Sequence, residues 1–278
     1  MPEVPEVQAH AERLDASFGG TELTRFLPLA FTALKTVQPD PAVIHGEELT
    51  SVGRRGKALL LQFPSATHVV HLMQGGRLEP DEKQAREPRN GQARWTFADG
   101  RALLLTEAGT ERKAGVWVVD GDPDVHEPLS RLGPEAADVG TGQLADLLAA
   151  ENTRVHSFLR DQRRIAGLGR RLANEICHRA QLSPFAMTAK LGDDEVERLV
   201  VAIGACVGEG LAYERGRDDM SSSKERPGAV HHRTGEACPV CGDEVREVAY
   251  NAYTVHYCAT CQTDGKVLAD NTTSKFLK

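Results

Sequence analysis

Cys238-Pro-Val-Cys241-Gly242, with sixteen residues separating Cys241 from Cys258-Ala-Thr-Cys261, is the stretch from which the rest of the chain can be read. Two Cys-x-x-Cys pairs at this separation have the two-knuckle spacing of a tetrahedral structural site, in which four thiolates surround Zn2+ and leave no coordination position open. Gly242 lets the chain fold back over the first pair. The expected cofactor is one structural zinc ion on Cys238, Cys241, Cys258 and Cys261, which holds structure and performs no chemistry; a redox pair is the competing reading. The other two of the six cysteines, Cys177 and Cys206, fall on apolar helix faces and read as core residues.

Working back from the cysteines, the pattern is helical. Amphipathic segments cover 143–150, 152–163, 171–180 and 193–213, the last opened by Asp193-Asp194 as candidate caps. Between two of them lies Ile165-Ala166-Gly167-Leu168-Gly169-Arg170. It reads as a turn, and equally as a place where a phosphate can approach the next helix N-terminus. Polar 218–229, with Ser221-Ser222-Ser223 and Pro227-Gly228, predicts a flexible connector. Before residue 141 the periodicity is that of strands: 22–28, 42–45, 58–63, 68–72, 93–98, 102–106 and 116–119. Turns such as Gly75-Gly76 and Asp99-Gly100 separate them, which predicts an antiparallel sandwich or barrel, followed by a Pro- and acid-rich linker over 120–140.

At the other end, Val4, Val7, Leu14 and Phe18 recur at helical spacing and predict one helix over 4–18, stopped by Gly19-Gly20. Met1-Pro2-Glu3 precedes it. Pro and an acid are favoured at a helix start on structural grounds alone. They also admit a chemical reading: Met1 before a small residue is normally trimmed, and Pro2 then presents a secondary amine beside a carboxylate. An α-amine titrates near pKa ~8, so a fraction is unprotonated at neutral pH, as a Schiff-base nucleophile requires.

The 278 residues allow two domains with separate cores. No apolar run approaches the ~18 residues of a membrane span and no leader precedes the first helix, so a cytoplasmic protein without membrane contact is expected. A net charge of -7 argues against indiscriminate polyanion binding, but the charge is uneven. From 152 to 190, eight Arg or Lys (154, 160, 163, 164, 170, 171, 179, 190) face only Asp161 and Glu175, whereas 120–146 is acidic. A basic strip in an acidic protein fits one directed nucleic-acid face; it fits a solvated helix surface as well.

Taken together and in order, these pieces resemble the formamidopyrimidine-DNA glycosylase and endonuclease VIII family of base-excision repair enzymes. The resemblance is carried by Met1-Pro-Glu-Val-Pro-Glu-Val7, by Arg54-Arg55-Gly56-Lys57 with Leu59-Leu60-Leu61, and by His71-Leu72 through Gly76-Arg77-Leu78. It continues through Leu159-x-Asp161-Gln162, Gly167-x-Gly169 and Glu175 to Val230-His-His-Arg-Thr-Gly-Glu-Ala-Cys238. It implies an α+β multi-domain fold: an N-terminal antiparallel β-sandwich with an N-terminal helix (1–130), a helix-two-turns-helix DNA-binding domain (131–229) and a four-cysteine zinc-finger β-hairpin (230–278). It implies a bifunctional glycosylase and abasic-site lyase in which Pro2 attacks C1′ of the damaged nucleotide, Glu3 shuttles protons, and Lys57 grips phosphate and assists β-elimination. DNA contacts are expected from Lys57, His71, Gln74, Arg112, Arg170 and Tyr253. The expected partner is DNA with abasic sites or oxidised bases, bound by a monomer at the nucleoid.

The departures from the family pattern bear on mechanism. Arg170 stands where the family usually has Asn after Gly-x-Gly, and Tyr253 stands where its finger hairpin carries an Arg that assists δ-elimination. Gln74 aligns with the Met that fills the gap left by a flipped base, and the wedge region, Thr110-Glu-Arg112-Lys113-Ala114, is about three residues longer than usual and has no aromatic. These departures predict a preference for abasic sites and oxidised pyrimidines in single-stranded or bubble DNA, with δ-elimination in doubt. Two other classes compete: a damaged-DNA or abasic-site binding relative with weak or no glycosylase activity, and a non-catalytic zinc-ribbon binder. Pro2, Glu3 and Lys57 together favour the enzyme.

Overall fold

The computed structural model describes residues 1–109, 111–221, 225–250 and 253–268, which form two compact units. One comprises Met1–Leu132 with Arg217–Met220; the other comprises Gly133–Gly216 and the chain from Ser221. Thr110, Ser222 and Ser223, named above, lie outside the described residues.

The first unit is a sandwich of two four-stranded antiparallel sheets and one helix. Its strands are β1 (Leu23–Pro28), β2 (Ser51–Arg55), β3 (Ala58–Gln62), β4 (Thr67–His71), β5 (Gly76–Pro80), β6 (Gly91–Phe97), β7 (Ala102–Glu107) and β8 (Gly115–Val119). The sheet orders are β1-β6-β7-β5 and β2-β3-β4-β8. Leu59, Leu61, Val70, Val116 and Val118 meet Leu23, Trp95, Leu103 and Leu105 in the core, and helix α1 (Val4–Phe18) adds Val7, Ala11, Leu14 and Phe18. β3 is apolar on both sides, because Ala58 and Leu60 face a second cluster with Val69, Val119 and Leu129. That is why it reads as an unbroken apolar run and not as an alternation.

Sequence periodicity misses β2 and β5, both edge strands. Each carries one fully buried apolar side chain, Val52 and Leu78, among Arg, Gly, Glu or Pro. Edge strands bury one face at most and are often kept polar. Conversely, the strand expected at 42–45 is a 3-10 turn, Pro41–Ile44, whose start is fixed by Pro41 and by Asp40 accepting the Ala42 N–H at 2.8 Å. The expected linker is also tied down, with Leu129 buried against the first unit's sheet.

The second unit contains α2 (Thr141–Ala149), α3 (Val155–Arg160), α4 (Arg170–Arg179), α5 (Asp193–Arg215), a hairpin of β9 (Val245–Ala249) and β10 (Thr254–Cys258), and the short α6 (Ala259–Thr263). α3 is shorter than the expected 152–163, since Asp161 leaves helical geometry and caps the next turn by accepting the Arg163 N–H at 3.0 Å. The cap of α5 is Gly192 and not Asp193-Asp194; its N–H donates to Glu195 at 2.9 Å, while the two aspartates complement the dipole inside the first turn. The expected slack connector is braced over 225–229. Glu175 on α4 accepts backbone N–H groups from Ala229 (2.7 Å), Val230 (3.1 Å) and His231 (2.8 Å), and Arg171 donates to the carbonyls of Arg226 and Pro227. No helix among the described residues is long and apolar enough to cross a membrane.

Candidate active site and nucleic-acid contacts

In the first unit, strand register gathers the singled-out residues at one end of the sandwich. Ala58 at the start of β3 pairs with His71 at the end of β4, which pairs with Gly115 at the start of β8. In the facing sheet, Gly76 at the start of β5 pairs with Glu107 at the end of β7. The Gly56-Lys57 turn, His71, the Gln74 turn and the 108–114 loop therefore share that end.

α1 delivers the N-terminus to the same place. Asp15 accepts the Val52 N–H at 2.6 Å and Gln8 accepts from Arg54 Nε at 2.8 Å, so the helix runs antiparallel along β2. Five residues further toward its N-terminus, about 7.5 Å at helical rise, Glu3 comes toward the turn where β2 ends. Glu3 is 4% exposed and is the N-cap of α1: its carboxylate accepts the Glu6 N–H, and its own N–H donates to the Glu6 carboxylate at 2.9 Å. The reciprocal capping box fixes the chain direction at Pro2, which is half-buried. The structural and chemical readings of Met1-Pro2-Glu3 are thus compatible.

Lys57 is 8% exposed and follows Gly56, which turns with φ 54°. Burial, and secondarily the Lys57 charge, push the His71 imidazole down to about 4. His71 is neutral at pH 7, and its Nδ1 accepts the Met73 N–H at 3.1 Å. That bond helps hold Met73 at φ 51° and turns the chain so that Gln74 is exposed. The turn is packed tightly: a Cβ on Gly76 would lie 2.2 Å from Leu72 O, and one on Gly75 2.9 Å from Ala108 O. Arg112 is exposed and reaches Asn90 Oδ1 at 3.4 Å, whereas Ala114 is 1% exposed within the core. Glu107, which sequence reading missed, holds the end of this loop by accepting the Ala114 N–H at 2.7 Å. A buried acid at a strand end carries no sequence pattern of its own.

In the second unit, Arg170 is exposed at the first position of α4, after Gly167 at φ 97° and the cap Gly169. Gln162 braces the preceding loop, donating to Leu168 O at 2.7 Å and accepting the Gly167 N–H at 3.0 Å. Tyr253 is half-buried at the foot of β10, stacked on Tyr250 at 4.8 Å and lying under Arg160.

The four sulfurs of Cys238, Cys241, Cys258 and Cys261 lie within 4.8 Å of one another, with Cys238–Cys261 at 3.8 Å and Cys241–Cys258 at 3.4 Å. A tetrahedron with ~2.3 Å metal–sulfur bonds has edges of about 3.8 Å, so the donor set fits a metal ion. Gly242 turns at φ 78° and donates to Cys238 O at 2.9 Å, which closes the first knuckle. Around the sulfurs, His178 Nε2 lies 3.3 Å from Cys238 Sγ, and Gln262 accepts the Cys258 N–H at 2.9 Å while donating to Leu182 O at 2.9 Å. Cys177 is buried and Cys206 is half-buried, both outside this cluster.

Residues 1–116 match the family model described as "Formamidopyrimidine-DNA glycosylase N-terminal domain". A formamidopyrimidine-DNA glycosylase of Exiguobacterium is 31% identical over 94% of this chain and 99% of its own. An uncharacterized formamidopyrimidine-DNA glycosylase-like protein of Mycobacterium tuberculosis is 43% identical over 53% of this chain and 94% of its own. Among solved structures, the Lactococcus lactis enzyme, bound non-covalently to DNA containing an AP site, shares the fold with a TM-score of 0.81 at 20% identity. It covers 94% of this chain and 99% of that one. Fold and full-length similarity agree, and the chain belongs to the formamidopyrimidine-DNA glycosylase family of base-excision repair enzymes.

Proposed function

We propose that this DNA glycosylase and abasic-site lyase works through the amine of Pro2, freed by removal of Met1. The observation that carries the reading is the buried Glu3 carboxylate, fixed by a capping box beside Pro2 at the end of the sandwich where Lys57 and His71 also gather. The Pro2 nitrogen bonds to C1′ as the C1′–base bond breaks and the amine proton leaves with the damaged base; the C1′–O4′ bond then opens, O4′ taking a proton from Glu3, which leaves an iminium at C1′. The iminium acidifies C2′–H, Glu3 moves that proton, and the 3′ phosphate leaves by β-elimination while Lys57 holds a phosphate. Zinc on Cys238, Cys241, Cys258 and Cys261 supplies no chemistry; it keeps the finger folded for DNA binding. DNA contacts come from Lys57, His71, Gln74, Arg112, Arg170 and Tyr253, with 1–130 as the catalytic domain, 131–229 as the helical DNA-binding domain and 230–278 as the finger. A monomer acting in the cytoplasm, at the nucleoid, suffices for this chemistry.

Substrate choice follows from the missing wedge. Base–aromatic stacking is worth roughly 1–3 kcal/mol, and no aromatic occupies the described part of the 108–114 loop to support an orphaned partner base. The preferred substrates are then abasic sites and oxidised pyrimidines in single-stranded or bubble DNA, where the cost of extruding the nucleotide, about a few kcal/mol in a duplex, is lowest. Borohydride trapping on one lesion panel in single-stranded, bubble and duplex contexts tests both statements. The expected result is a covalent adduct that Pro2→Gly abolishes, formed most slowly on 8-oxoguanine opposite cytosine in duplex. An adduct unchanged in Pro2→Gly removes Pro2 as nucleophile. Intact DNA binding without any adduct favours the binding-only relative.

A further inference from the structure

Two arginines of the C-terminal unit rest on aromatic rings instead of carboxylates. The Arg160 guanidinium lies 4.0 Å from the centroid of the Tyr253 ring. Arg154 lies 4.7 Å over Phe185 and donates from Nη1 to Tyr250 Oη at 2.8 Å. Tyr250 and Tyr253 stack with planes 18° apart, and the Tyr250 N–H donates to Tyr253 O at 2.8 Å, so their rings form one platform at the foot of the β9–β10 hairpin. Nearby arginines are neutralised: Arg163 by Asp161, Arg164 by Glu151 and Arg179 by Glu209. Arg154 and Arg160 have no carboxylate within salt-bridge distance among the described residues.

Their placement suits an external anion. A guanidinium lying on a ring face keeps its in-plane N–H donors for a third partner, and the ring fixes the plane of the fork before that partner arrives. Arg154 caps α3 and Arg160 ends it. Six residues of helix span about 9 Å, comparable with two or three nucleotides of a strand at ~3.4 Å each. The buried His156 ring, 6.1 Å from Tyr253, is held down to about 3 by burial and then by the Arg160 charge, so it is neutral and the cluster's charge belongs to the two arginines.

We propose that Arg154 and Arg160, seated on the Phe185, Tyr250 and Tyr253 rings, form a two-point clamp on the phosphodiesters of one DNA strand. The inference rests on the reading of the protein as a DNA-repair enzyme and deepens it by assigning strand-gripping cations that no motif marks. The test uses the full-length, zinc-loaded protein and an oligonucleotide carrying a tetrahydrofuran abasic analogue, which binds without being cleaved. Affinity is measured from about 50 to about 200 mM KCl for wild type, Arg154→Gln, Arg160→Gln and the double variant. Each substitution should lower the slope of log K against log salt by about 0.7 to 0.9, with unchanged zinc content, and the double variant by about twice that. Tyr253→Leu should reproduce the loss seen in Arg160→Gln, and combining the two should add little, because the ring acts by holding the guanidinium. A wild-type slope in either Gln variant, with or without weaker binding, overturns the clamp, since a merely structural role changes affinity and not the count of displaced counterions. Because the analogue is inert to the amine, the slopes are read independently of Pro2: failed borohydride trapping defeats the lyase reading, while reduced slopes still support the clamp.

Discussion

Single residues here often serve two ends, and sequence displays one of them. Glu3 reads as a helix-start acid and is one, yet its burial also sets a carboxylate beside Pro2, where the proposed mechanism has it move a proton. Glu175 reads as part of a motif, and the structure gives it three backbone N–H donors from a segment more than fifty residues away. Ala114 reads as the place of a lost aromatic wedge. In the structure it is a core residue whose N–H is held by Glu107, so the loop departs from the sandwich only before it. Ala114→Phe should therefore overpack the core, costing about 1–3 kcal/mol of stability, without restoring a wedge. Thermal unfolding should show the loss, and the ratio of bubble to duplex excision should stay unchanged; faster excision on matched duplex would place residue 114 at the DNA after all.

At the scale of elements, legibility follows how much apolar surface an element buries. α1 and β3 carry strong patterns and appear where sequence puts them, while the edge strands β2 and β5 carry almost none. The finger hairpin is legible for another reason, since its four sulfurs are a chemical pattern independent of hydropathy. Its own core is small, with Val230, Cys238, Val245 and Cys258 in one cluster, so a metal ion held by the four sulfurs would contribute much of its stability. Cys258→Ser, or removal of metal by a chelator, should weaken DNA binding at least tenfold and loosen the hairpin, leaving the sandwich folded. Metal analysis should find one zinc per chain in the native protein; tight DNA binding by the metal-free protein would contradict a finger that depends on its ion.

For the whole molecule, buried histidines set the response to acid. Burial holds His10 down to about 4, His68 to about 3 and His71 to about 4, against ~6.5 in an unfolded chain. His68 is fully buried and accepts the Trp95 Nε1–H at 3.0 Å, and His10 Nε2 lies 2.6 Å from Leu78 O. A depressed pKa means stability present above ~6.5 and lost as pH falls toward the folded values, at about 1.4 kcal/mol per pH unit for each such group. The urea midpoint should fall steeply between about pH 6.5 and about pH 4.5, and His10→Gln should make that fall shallower by one group's worth. A midpoint that does not move over this range would show that these rings titrate as freely as in the unfolded chain. Sequence by itself determined the chain's alternation of strand-rich and helical regions and a four-cysteine spacing that fits a metal ion, because periodicity and ligand spacing are local properties, while the family and the candidate trio Pro2, Glu3 and Lys57 entered through motifs that resemble the family's in order along the chain. Only the tertiary structure decided which ends of strands and helices converge. Strand pairing brings Lys57, His71, Gln74 and the 108–114 loop to one end of the sandwich, and the hairpin sets Tyr250 and Tyr253 against arginines about a hundred residues earlier. Contacts between residues so far apart depend on register and packing, which leave no trace in local composition.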